Sequence, residues 1–132
     1  MLRTRSLKSE NGQAAAEFAL VLPVLAALLL GIAQFGIVFN NYITLTDATR
    51  AGARKAAVSR FIGDGGASAV TAVRNASSNL DQASLTVDVT ADNWTVPGGD
   101  VTVTTSYPYS VNILGWTIAA GSLTSTTKER LE

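Results

Sequence analysis

The chain has 132 residues, ten basic and ten acidic, with no cysteine and no histidine. That length holds one domain of roughly 100 residues plus one membrane segment. Zero net charge argues against a surface that grips nucleic acid through its phosphates. The missing cysteine and histidine remove disulfides, thiolate sites, the usual general base and the usual metal ligand. Neither a catalytic site nor a cofactor or metal is expected.

The first twelve residues carry Arg3, Arg5 and Lys8, opposed only by Glu10. An apolar stretch follows, uncharged from Phe18 to Thr46, and Phe18 to Phe39 alone is 22 residues. At about 1.5 Å per residue that spans a hydrocarbon core of about 30 Å, so a transmembrane helix is predicted over about 18–39. The preceding basic residues predict an N-terminus left in the cytoplasm and an exported remainder. Pro23 removes one helical hydrogen bond; it reads either as a functional bend or as the ordinary tolerance of membrane helices for proline. Helix is expected to continue through "LTDATRAGARKAAVSRF". There Ala48, Ala51, Gly52 and Ala56 would admit a second helix at close range, while Arg50, Arg54, Lys55 and Arg60 form a solvated face.

The N-terminal region admits three readings. A simple signal anchor explains the apolar run, and a cleaved secretory signal would use the small residues Gly31 and Ala33. Neither accounts for Glu17, a carboxylate at the front of the run. The third reading takes the spacing "NGQAAAEF" as a cut after Gly12, which makes Gln13 the new first residue, Glu17 the fifth and Phe18 the sixth. This pattern resembles the class III signal of type IV pilins, and in detail the TadE-like pseudopilins of the tight-adherence (Flp) pilus. "NGQAAAEFALVLPVL", "GIAQFGIVF" and "DATRAGARKAAV" carry the resemblance. It extends more loosely over "GGDVTVTTSYPY" and "LTSTTKERLE".

The resemblance implies a leader of residues 1–12 removed by a prepilin peptidase, an assembly helix over 13–62, and other pilin subunits as partners. It also implies a bacterial inner-membrane location that can end in a surface pilus. Processing falls on Gly12 and Gln13, and assembly on Glu17, Phe18 and Pro23. Cleavage frees an α-amine, a group that ordinarily titrates at about 7.7–8. That amine on a neighbouring subunit would offset the cost of a carboxylate in lipid, about 2.5–3.5 kcal/mol at mid-helix and less near the interface. The pair would also set register among otherwise greasy helices.

Residues 63–132 form the predicted exported domain. "GDGG" (63–66) ends the long helix, and a second helix is expected over Ala67–Leu80 with Val70, Val73, Ser77 and Leu80 on one face. Leu85, Val87 and Val89 alternate with polar residues, as do Val101, Val103, Thr105 and Tyr107 after the turn "VPGGD". A third strand is expected over Leu123–Lys128. The fold class is α+β: a long transmembrane and assembly helix, a second short helix and a small antiparallel sheet.

"SVNILGWTIAAG" (110–121) reads as the connection between the last two strands, yet it holds Val111, Ile113, Leu114, Trp116 and Ile118 and no charge. A surface connection should be polar. These side chains either fold back over the sheet to close a small core, or form an exposed apolar contact patch anchored by Trp116.

Overall fold

The computed structural model describes residues 7–59, 62–64 and 66–132, with the backbone alone for residues 7–11. Arg3 and Arg5 of the basic leader, Arg60 of the cationic face and Gly65 of the GDGG turn lie outside the described residues.

The first element, α1, is a continuous helix from Leu7 to Ala57, 51 residues long, or about 76 Å at ~1.5 Å per residue. Its alanines and leucines are strong helix formers, and the chain is helical on both sides of Pro23. α1 stops at Ala57, before residue 62 and before the GDGG turn. Two contacts account for the early end. The Ser59 hydroxyl donates to the Ala56 carbonyl at 2.8 Å, and the Glu132 N–H donates to the Ala57 carbonyl at 3.1 Å. The last turn of a helix leaves four carbonyls without partners, and these two donors fill two of them.

A short helix, α2, spans Ala67–Ala76. The Asp64 carboxylate receives the backbone N–H groups of Gly66 and Ser68, at 3.0 and 2.8 Å, and so secures its first turn. α2 ends four residues earlier than the sequence pattern predicts. The Ser77 hydroxyl turns back onto the Val73 carbonyl at 2.7 Å, a local bond that competes with helix continuation. Ser77 and Leu80 are still buried, from the turn that follows.

Three strands complete the chain: β1 (Thr86–Ala91), β2 (Asp100–Ile113) and β3 (Trp116–Arg130). They form one antiparallel sheet in the order β1-β2-β3. The architecture is therefore α+β, one long apolar helix, one short helix and a three-stranded antiparallel sheet. β1 pairs with β2 only as far as Thr86 opposite Ser106. Beyond it β2 and β3 continue as a two-stranded ribbon to Ile113 opposite Trp116.

That ribbon corrects the expected boundaries. β2 runs six residues past Tyr107, β3 starts seven residues before Leu123, and residues 110–121 are the end of a hairpin rather than a connection. The turn is only Leu114-Gly115, both at positive φ (51° and 86°). Such a two-residue loop matches the twist of the flanking strands.

The core lies where one face of α1 meets α2 and the sheet. Leu45, Ala48, Ala53 and Ala56 pack with Ala69 and Val73 of α2 and with Val101 and Val103 of β2. The small residues of α1 do admit a helix, and that helix is α2 of the same chain. A Cβ at Gly52 would lie 2.3 Å from Val73 Cγ2 and 3.4 Å from the Ala69 carbonyl oxygen. Among the described residues, one side-chain link joins α1 to the sheet inside the core. Thr49 Oγ1 donates to the Leu45 carbonyl at 2.6 Å and meets Thr105 Oγ1 at 2.6 Å, which makes Thr105 the donor of that pair. Toward the N-terminus the same face of α1 continues through half-buried Asn41, Val38, Gln34 and Gly31. The β2–β3 ribbon lies along it as far as Ile113, whose Cδ1 stands 3.5 Å from where a Gly31 Cβ would be.

Candidate processing and assembly site

The residues singled out from the sequence fall in two groups. Gly12, Gln13, Glu17, Phe18 and Pro23 lie on the stretch of α1 up to Leu25, which no other described residue covers. Every residue from Gly12 to Leu25 is exposed, with Phe18 61% exposed, and a Cβ at Gly12 would meet nothing within 4 Å. Gln13 and Glu17 are one turn apart, and the Gln13 side-chain amide donates to Glu17 Oε1 at 3.1 Å. A carboxylate can accept about four hydrogen bonds, so Glu17 keeps acceptor capacity for a donor from outside its own helix.

The second group is at the hairpin end. Val111 is buried at 6% and Ile113 is half-buried against Gly31. Leu114, Trp116 and Ile118 are 68%, 80% and 64% exposed. Only the first two of these five side chains turn inward. The two groups do not meet. Gly31, the helix position that the hairpin reaches, lies fourteen residues beyond Glu17, or about 21 Å along the axis.

Among the described residues no three carboxylates gather as a metal site. The carboxylates with displaced titration lie elsewhere, in turns and at the sheet base. The Ser84 hydroxyl, aided by the Ala83 N–H, holds the Asp81 carboxyl below its usual value. The Lys128 ammonium, 2.8 Å away, does the same for Asp100. Asp100 in turn raises Lys128.

Gly52, one of the small residues expected to admit a helix, does lie under α2, whereas sequence reasoning did not find the Thr49–Thr105 link or the contact of Gly31 with the hairpin. For the link a signal existed. Thr105 is in phase with inward-facing Val101 and Val103, and Thr49 and Gly52 share the helix face of Leu45 and Ala56. The hairpin as the partner of Gly31 carried none, because Ile113 is 82 residues away.

The geometry is that of one long apolar helix with a small head on its C-terminal half. α1 is long and apolar enough to cross a membrane, its apolar half is bare, and a small α+β head is folded on its C-terminal half. Residues 12–54 match the TadE-like protein family, about a third of the chain and nearly all of α1. No curated protein and no solved structure matches the chain.

Proposed function

We propose that this chain is a structural minor pilin. It is cut after Gly12 by a prepilin peptidase and joins other pilin subunits of a tight-adherence pilus through α1. The observation that carries the reading is the placement of Glu17. It is a carboxylate on an otherwise bare apolar helix, five residues after the glycine at which the family match begins. Its own helix supplies one amide donor, from Gln13, and no opposite charge stands beside it in the described structure. The α-amine created at Gln13 of a neighbouring processed subunit supplies that charge. The N-terminus faces the cytoplasm, the head is exported, and the protein's work is structural rather than catalytic.

In the uncut chain Gly12 and Gln13 lie within continuous helix. A peptide bond in that state is inaccessible to a peptidase, so the first turns must unwind in the peptidase. Glycine eases this, being about 1 kcal/mol less favourable in a helix than alanine. The decisive measurement is the mass of the mature chain from cells. Loss of residues 1–12 supports the reading, and Gly12→Leu should then accumulate as uncut precursor. An intact wild-type chain sinks it and leaves an uncleaved, signal-anchored domain with an accessory binding role.

A further inference from the structure

We propose that the end of the β2–β3 hairpin is a membrane-docking finger, with Leu114, Trp116 and Ile118 entering the interface of the leaflet on the head's side. The inference rests on α1 being the membrane span and is independent of cleavage after Gly12. Three observations carry it.

The first is position. A span of about 20 residues counted from Gly12, where the candidate membrane helix begins, ends at Gly31, short of the Phe39 end expected from the sequence, and the hairpin touches α1 at that residue through Ile113. The tip is thus level with the boundary of the hydrocarbon core. If the span instead ends at Phe39, the tip lies about 12 Å deeper.

The second is chemistry. No charged residue lies between Asp100 and Lys128, so the ribbon carries its charge only at the base, away from the membrane. At the other end stand Leu114, Trp116 and Ile118, each more than 60% exposed. Tryptophan favours the membrane–water boundary because its ring is apolar and its N–H is polar. Trp116 stands opposite Ile113 across the ribbon, yet at 80% exposure its ring is left uncovered by α1.

The third is backbone conformation. Leu114 has a φ of 51°, a region favourable to glycine and asparagine and costly for leucine. Ile118 has no partner in the register, where Val111 faces Ala119 and Asn112 faces Thr117. This bulge re-aims the strand at its apolar end. Both features place large apolar side chains outward where turn chemistry would favour small polar ones.

The full chain in nanodiscs of phosphatidylcholine and phosphatidylglycerol provides the test. In Trp94→Phe, which keeps an aromatic ring at position 94, Trp116 is the sole tryptophan. Phosphatidylcholine brominated at shallow acyl positions should quench more than half of its emission, and iodide should quench little. Leu114→Asn with Ile118→Ser should cut the bromine quenching several-fold while circular dichroism stays unchanged. If Trp94→Phe misfolds, the wild-type chain compared with Trp116→Phe gives the same reading. Full iodide quenching without bromine quenching overturns the proposal. Shielding from both quenchers also overturns it, because a second copy then covers the tip. Bromine quenching indifferent to residues 114 and 118 overturns the finger as a unit.

Discussion

At the scale of single residues, Gly52 shows how little room separates α1 from α2. A methyl group there would overlap Val73 Cγ2, and Val73 is fully buried and stiff about its first torsion. Gly52→Ala would gain about 1 kcal/mol of helix propensity but would overpack the contact at a cost of roughly 1–3 kcal/mol. The expected net is a destabilised head, with a lower melting temperature for the detergent-solubilised chain. Gly36 is the internal control, since a Cβ there meets nothing within 4 Å. Gly36→Ala should be neutral or stabilising. Adding Val73→Ala to Gly52→Ala should recover part of the loss, as coupled neighbours do. Equal melting temperatures for Gly52→Ala and Gly36→Ala would refute the packing argument.

At the scale of elements, what the sequence revealed follows from how local each signal is. The apolar run of α1 is unambiguous over its whole length, and strict alternation over Val101–Tyr107 marks the first half of β2. The end of β2 and the first part of β3 fell within the stretch 110–121 read as a connection, and Pro108, Asn112 and Gly121 are residue types depleted in strands. Pro108 is tolerated because β1 ends its pairing at Ser106, leaving that side of β2 an open edge. Its partner across the ribbon is Ser122 of β3. Gly121 is covered by the ring of Tyr109, an aromatic packed over a strand glycine. Neither contact could be anticipated without the register. Of the candidate site, the Gly12–Glu17 spacing was readable because it is local. The division of residues 111–118 into two inward and three outward side chains was not, because it depends on α1 passing beneath Ile113.

The sheet base carries a pH-dependent clamp. Lys128 lowers the Asp100 carboxyl below 3.8, so Asp100 contributes stability above about pH 4 and loses it as pH falls through the lower folded value. Asp100 raises Lys128 above 10.5, so the lysine's contribution is full below that pH and fades above it. In urea titrations of the head on its full chain, Asp100→Asn should flatten the fall in midpoint between pH 4 and 2. The alkaline fall should flatten as well. A variant with the wild-type slope in both limbs would show that the pair is inert.

At the scale of the whole molecule, α1 is two helices in one: a C-terminal half that nucleates the head and an N-terminal half, Gly12 to Leu25, with no cover from its own chain. Lipid suits the exposed side chains on that bare half except Gln13 and Glu17, and at Glu17 a charge costs up to about 3 kcal/mol depending on depth. Glu17→Ala removes that cost, so insertion should be unchanged or improved, and the head should melt at the wild-type temperature because Glu17 touches none of it. On the proposed function the loss appears only between subunits, where a neighbour's free α-amine is left without its counter-charge. Co-purification of partner pilins from detergent should fall several-fold, and pilus number should fall with it. Glu17→Asp, which keeps the charge on a shorter arm, should recover part of both. Wild-type association and pilus counts for Glu17→Ala would show that the carboxylate serves some purpose other than pairing.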